Sequence, residues 1–153
     1  MDRIVDLKRE PAMVEQYVAI RNSYLDLLLT GPVTVAETRE WLRKARVKVL
    51  GLAAGQNLLG AAILYLDRAN EIAFFVKEPG KGVGTRLLEI VVDEARRSGL
   101  DKVWAWALKR NLPAQKSFEK AGFSKAGETT RTCGGRPEQG IEYRRLLSEK
   151  AAG

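Results

Sequence analysis

The sequence predicts a mixed α/β fold, one domain over residues 1–153, with a central sheet of six or seven strands flanked by about four helices. Three observations carry this. The chain has 153 residues, and at roughly 100–200 residues per domain it holds one core. Hydrophobic residues make up 45% and charged residues 29%, a globular mixture rather than a disordered one. From Glu71 to Leu108 the chain reads strand, glycine loop, helix, strand, the crossover that two parallel strands require.

The elements follow in order. Residues 3–8 alternate loosely and read as a first strand. Pro11 opens a helix that runs to Arg21 and Asn22. Residues 24–29 continue as a short apolar segment, and Gly31-Pro32 ends it. Thr34-Val35-Ala36-Glu37 is a capping box, so a helix follows through Trp41 to about residue 46. Two strand candidates, residues 47–54 and 58–67, flank Gly55-Gln56-Asn57 as a hairpin. Arg68-Ala69-Asn70 turns into a third strand over residues 71–76. A helix then opens at Gly84, with Gly84, Leu87, Leu88, Val91 and Ala95 on its apolar face, and Ser98-Gly99 closes it. Residues 102–108 form the next strand, with Trp104 and Trp106 on one face. Asn111 caps a short helix over residues 112–121 that Gly122 ends. Strand-like sequence resumes at Phe123. A polar loop at residues 134–138 separates it from a last strand over residues 141–146.

Composition excludes much chemistry. The chain has no histidine, which removes imidazole bases, Ser-His-Asp and Cys-His triads and His-ligated zinc. Its one cysteine, Cys133, allows no internal disulfide and no multi-cysteine metal site. As an acyl-carrying nucleophile Cys133 is an alternative, but direct transfer needs no covalent step. No metal is expected. The formal charge is +7, and it is uneven: residues 1–75 hold 10 Lys/Arg against 9 Asp/Glu, while residues 76–153 hold 16 against 10. The second half therefore suits an anionic partner. No apolar run approaches the roughly 18–20 residues that span a bilayer. The first residues lack the apolar core of a signal peptide, so a cytoplasmic protein with no membrane partner is expected.

Gly80-Lys81-Gly82-Val83-Gly84 stands between a strand and a helix. The first amides of a helix have no internal partner, and the helix dipole makes that end positive. Glycines let the backbone approach a phosphate, and Lys81 adds a cation. The spacing is neither G-x-G-x-x-G nor G-x-x-x-x-G-K-[ST], so it is not a Rossmann fingerprint or a P-loop.

Glu71-Ile72-Ala73-Phe74-Phe75-Val76, followed by Gly80-Lys81-Gly82-Val83-Gly84-Thr85-Arg86-Leu87-Leu88, resembles the central motif of the GNAT acetyltransferase superfamily. Asn111-Leu112-Pro113-Ala114 with Phe118-Glu119-Lys120-Ala121-Gly122-Phe123 resembles its second motif, N-x-x-A-x-x-x-Y-x-K-x-G-F. The two stand in the family's order with a helix and a strand between them. The resemblance covers residues 47–125, and residues 1–46 agree only in element order. It implies a GNAT-like fold whose strands at Glu71–Val76 and Lys102–Leu108 splay apart. It also implies acetyl-CoA as co-substrate, with an acetyl group moved to a primary amine of a small molecule or protein by direct attack in a ternary complex. The pyrophosphate would rest on the amides of Lys81, Gly82, Val83, Gly84 and Thr85, and the pantetheine arm on the edge of Phe74, Phe75 and Val76. Asn111 and Phe118 would complete the cofactor site.

Two departures stand out. The family usually has Gln or Arg where this chain has Pro79. Its tyrosine proton donor is Phe118 here, which equally reads as core packing. Another hydroxyl or water could protonate the leaving thiolate, or none is needed, since a thiolate is stable near neutral pH.

An amine must lose a proton to attack a thioester, and a nearby base lowers that cost. Without histidine a carboxylate fits, and Glu71 occupies the place of the glutamate in histone-type members of the superfamily. An amide near Val76 would polarise the acetyl carbonyl. Residues 21–46 should roof the acceptor. Ile20-Arg21-Asn22 with residues 34–41 faintly resembles nucleotide-amino-sugar N-acetyltransferases, which implies that Arg21 or Asn22 would meet a sugar diphosphate. Two other classes stay open: a catalytically degenerate acetyl-CoA sensor, which Phe118 would permit, and a basic nucleic-acid-binding module. Against the latter, aromatic and basic residues do not interleave. A homodimer is compatible with the sequence.

Overall fold

The computed structural model describes residues 2–24, 31–133 and 135–147. Its strands are β1 (Asp2–Asp6), β2 (Val47–Ala54), β3 (Asn57–Tyr65), β4 (Glu71–Val76), β5 (Lys102–Leu108), β6 (Ser124–Cys133) and β7 (Arg136–Leu146). Its helices are α1 (Val14–Asn22), entered through a 3-10 turn at Pro11–Met13, α2 (Val35–Lys44), α3 (Val83–Arg97) and α4 (Leu112–Lys120). The apolar continuation expected over residues 24–29 falls, beyond Tyr24, outside the described residues, as does the side chain of Cys133.

Local signals start these elements where the sequence places them. The Thr34 hydroxyl accepts from the Glu37 amide at 3.1 Å while the Glu37 carboxylate accepts from the Thr34 amide at 2.9 Å. That reciprocal pair satisfies two of the amides a helix start leaves unbonded. The Asn111 side chain accepts from the Ala114 amide at 3.3 Å and opens α4. Gly99 and Gly122 close α3 and α4 with φ of 79° and 87°, the left-handed region open to glycine.

Two connections differ from expectation, and β1 and β3 end two residues early, at Asp6 and Tyr65. Ala54 pairs with Asn57, so the first hairpin turns on two residues, Gly55-Gln56, and Asn57 belongs to β3. Gly55 has φ 62°, the positive value a two-residue turn requires. The loop expected at residues 134–138 is shorter. Arg136, Pro137 and Glu138 pair with Cys133, Thr132 and Arg131. Proline is tolerated in this strand because β5 ends opposite Gly140, so no second neighbour seeks its missing N–H.

The seven strands join one sheet in the order β1-β2-β3-β4-β5-β7-β6. Every neighbouring pair is antiparallel except β4 and β5, which α3 connects as a crossover. One face carries Leu64, Ile72, Ala105 and Tyr143, and α3 and α4 cover it through Leu87, Leu88, Val91 and Phe118. The other face carries Val5, Ile63 and Phe75, and α1 and α2 cover it through Tyr17, Val18 and Leu42. Trp104 and Trp106 of β5 are half-buried and alternate with Val103 and Ala105, so they point to this second face.

β6 and β7 keep pairing past the end of β5 and form a two-stranded arm. Lys125 pairs with Tyr143 but Gly127 pairs with Glu142, so Ala126 is the extra residue of a β-bulge.

Candidate functional site

β4 and β5 share two register pairs, Glu71 with Trp104 and Ile72 with Ala105. Beyond these the strands part. The Lys77 amide bonds to the Leu59 carbonyl on the β3 side at 2.8 Å, and the Trp104 amide bonds to the Asn70 carbonyl on the β5 side at 3.3 Å. Backbone groups alternate along a strand. The N–H and C=O of Phe74 and Val76 therefore face the gap, where no strand meets them. A linear chain with amide groups of its own can lie there and complete the ladder.

The loop after β4 delivers further donors. Gly80 and Gly82 have φ of 79° and 77°, and a Cβ at either would meet nothing within 4 Å. These two glycines serve backbone conformation. Gly84 serves packing: a Cβ there would lie 2.8 Å from both Phe74 Cε2 and Ser117 Oγ. Gly82 is the N-cap of α3, without a side-chain cap, and the first helical bond runs from the Arg86 amide to the Gly82 carbonyl. The amides of Val83, Gly84 and Thr85 are thus available to an anion.

Between the starts of α3 and α4 lies a groove of about 490 Å³, a size suited to a cofactor. Eight of the expected cofactor residues line it: Phe74, Phe75, Val76, Gly82, Val83, Gly84, Thr85 and Asn111. Lys81 is exposed and outside the lining. Phe118 is buried instead, stacked on Tyr143 at 5.1 Å and edge-on to Phe74 and Phe123 at 5.3 Å. The structure thus gives Phe118 a place in the core. Pro79 and Glu78 lie on the rim.

Sequence reasoning missed Tyr24, Lys116, Ser117 and Lys120, which also line the groove. Lys116 and Lys120 stand four apart on a helix, hence on one side of it, a spacing that could have been read. Burial pushes the Tyr24 hydroxyl above its ordinary pKa, so it is a neutral donor.

Glu71 sits outside the groove, at the closed end of the gap and on the second face. It is 7% exposed, and Arg131 Nη2 donates to its Oε2 at 2.8 Å. Tyr65 and Tyr17 share this face. Burial raises the pKa of both hydroxyls, and the guanidiniums of Arg68 and Arg21 pull Tyr65 partly back. Arg68 stacks on the Tyr65 ring at 4.2 Å.

Arg21 and Asn22 are also outside the groove lining. Arg21 Nη1 donates to the Gly31 carbonyl at 3.2 Å. The Asn22 carboxamide donates to the Val33 carbonyl at 2.9 Å and accepts from the Val33 amide at 3.1 Å. The two side chains brace the segment that leads into α2. No cluster of three or more His, Cys, Asp or Glu placed to hold a metal occurs among the described residues. No helix among them is long and apolar enough to cross a membrane.

A model of the acetyltransferase (GNAT) family matches residues 15–123. A Bacillus subtilis (strain 168) protein named "Putative phosphinothricin acetyltransferase YwnH" is 29% identical over 130 residues, covering 74% of this chain and 80% of that protein. The structure of yncA from Salmonella typhimurium with its cofactor acetyl-CoA superposes with a TM-score of 0.77 at 21% identity, covering 97% of this chain and 94% of that one. Spermidine N-acetyltransferase from Vibrio cholerae, in complex with CoA and spermine, gives 0.80 at 18% identity, with 98% of each chain covered. At these identities the structural likeness is one of fold.

Proposed function

The chain belongs to the acetyltransferase (GNAT) family and is an N-acetyltransferase; from this premise we propose that its single domain binds acetyl-CoA in the α3–α4 groove and acetylates a primary amine of a small molecule or protein by direct attack. The observation that carries the reading is the parting of β4 from β5 just before the uncapped start of α3. The strand edge supplies amide partners for a pantetheine arm, and the helix start supplies them for a pyrophosphate. Lys116 and Lys120 add positive charge at the groove, and this is where the basic second half of the chain finds a use.

Glu71 is the proposed base. Strand geometry refines which amide polarises the acetyl carbonyl. At roughly 3.3 Å per residue, Val76 lies about 16 Å along β4 from Glu71, and Phe74 about 10 Å. A glutamate side chain with one water and the amine bridges the shorter distance only. The Phe74 N–H is therefore the proposed carbonyl donor, in place of one near Val76. The free amine attacks the carbonyl carbon, Glu71 accepts its proton, the C–S bond breaks, and the pair of electrons leaves with the CoA thiolate.

Of the narrower acceptor readings, a sugar diphosphate would fall to Arg21 and to the second N–H of the Asn22 carboxamide, which already donates to and accepts from Val33. The test is release of free thiol from acetyl-CoA with a panel of amines. Amine-dependent release supports the enzyme. Tight acetyl-CoA binding with no release for any amine would point to a sensor.

A further inference from the structure

From its place on the β6–β7 arm we infer that Arg131 is a positioning residue for acetyl transfer, acting through Glu71. This rests on the reading of Glu71 as the base. Arg131 Nη2 donates to Glu71 Oε2 at 2.8 Å, and among the described residues no other side chain forms a hydrogen bond or ion pair with this carboxylate. One oxygen is thereby fixed by a charge-assisted bond, and Oε1 keeps its lone pairs for the amine or its water. A carboxylate free to rotate would present no constant lone pair, and small misplacements of a catalytic group cost rate steeply.

The guanidinium is itself held. Its Cζ lies 4.8 Å from the Trp106 ring centroid and 5.3 Å from that of Trp104, within cation–π range. The Trp106 indole N–H donates to Thr129 Oγ1 at 2.9 Å, and the Trp104 indole N–H to the Arg68 carbonyl at 3.0 Å. A Cβ on Gly140 would lie 2.2 Å from Trp106 Cζ2, so the indole occupies the space a side chain there would take. Contacts thus run from Gly140 through Trp106 and Arg131 to Glu71.

Reaching Glu71 takes two separate features of the arm. β6 stands three strands from β4, about 14 Å across a flat sheet at ~4.8 Å per strand. Arg131 pairs with Glu138, six residues along β7 from Arg144, the partner of Trp104, which adds about 20 Å. No arginine spans that, so the arm coils back over the tryptophans. Arg110 bonds Glu138 at 2.9 Å and Lys109 bonds Glu128 at 3.3 Å along its flank. The bulge at Ala126 then sets which side chains face inward. Ser124 shares a face with Arg144 and Trp104, but past the bulge the odd-numbered Thr129 and Arg131 take that face. An incidental surface ion pair needs neither feature. Arg131 is absent from the groove lining, so it should affect turnover and leave acetyl-CoA binding alone.

A double-mutant cycle on the full chain tests this, using the most active amine among spermidine, lysine and a short peptide with a free N-terminus. Arg131→Met should lower kcat by about 10–100-fold with the KM for acetyl-CoA unchanged, and Arg131→Lys should recover part of it. Gly140→Ala, which displaces Trp106, should lower kcat in the same direction. In a Glu71→Gln background Arg131→Met should cost nothing further. This double variant carries no unpaired buried charge, so it stays informative if Arg131→Met folds poorly. Equal losses in both backgrounds would overturn the inference, as would wild-type kcat in Arg131→Met beside a slow Glu71→Gln. Full turnover in Glu71→Gln would instead overturn the base, and the role of Arg131 with it.

Discussion

Ile72 pairs with Ala105, and no pair follows it between the two central strands. Four residues later on β4, at Val76, the strand ends, and the chain turns through Gly80 and Gly82 into α3. The gap and the helix start are therefore adjacent by construction. A ligand with an amide-bearing arm and an anionic group can use both at once.

Gly82 separates the two demands on the loop. It lies at φ 77° with open space where a Cβ would be, so alanine costs backbone conformation only, about 1 kcal/mol of stability. Aspartate tolerates that conformation better but sets a negative charge against the pyrophosphate. Gly82→Asp should therefore weaken acetyl-CoA binding by tenfold or more in calorimetry, a loss of about 1.4 kcal/mol. It should melt no lower than Gly82→Ala. Unchanged affinity in Gly82→Asp removes the anion site.

Glu71→Gln should lower kcat by about 10²–10⁴-fold, the usual worth of a general base. Acetyl-CoA affinity should hold, because Glu71 is outside the groove lining. Stopped-flow thiol release at saturating acetyl-CoA, with binding measured separately, checks both halves. A variant at full turnover makes Glu71 an anchor for Arg131 and nothing more.

Phe118→Tyr would restore the family's residue in a setting that has no use for it. Rings of Phe74, Phe123 and Tyr143 surround the side chain at 5.1–5.3 Å. A hydroxyl added there without a partner should cost about 1–3 kcal/mol, or a few degrees of melting temperature, with no gain in turnover. A variant that turns over faster at unchanged stability would show that the ring reaches the thiol.

Acid should loosen the hold of β2 on α3. The Glu94 carboxylate is held below its ordinary pKa of 4.5, first by the hydrogen bond from Lys48 at 2.8 Å and then by Arg97. Its folded-state value is depressed, so this stabilisation is complete above about pH 4.5 and fades as pH falls through the folded value. Both side chains are partly exposed, which limits the pair to about 0.5–1 kcal/mol. Lys48→Met should lose about that much at pH 7 and less at a pH well below 4.5. Denaturant melts at the two pH values give the comparison.

Much of the fold was legible because its signals are local. The Thr34–Glu37 box, the apolar face of α3 and the Asn111 cap each act within a few residues. The glycine loop is equally local, and so were eight of the groove's residues. The first hairpin was misjudged by one residue because Asn57, a common turn residue, is held in the ladder by Ala54. Residues 136–138 resembled a loop because proline usually leaves a sheet, and only the edge position of the arm allows it. Arg131 had no local signal at all. It meets Glu71 sixty residues away in sequence, through the coil of an arm whose course depends on the whole sheet.

The bulge at Ala126 turns the arm into a parity device. Because side chains alternate along a strand, deleting Ala126 would leave Arg131 opposite Glu138, whereas a one-residue slip of β6 that drew Ala126 into the ladder would exchange the inward and outward rows of the arm together. Thr130 and Thr132 would then face the tryptophans, and Arg131 would face solvent. No residue at the site would need to change for the partner of Glu71 to do so. A single-codon deletion of Ala126 would be absorbed quietly, so a shift in amine preference should be sought in related chains that keep this length but pair the arm without the bulge.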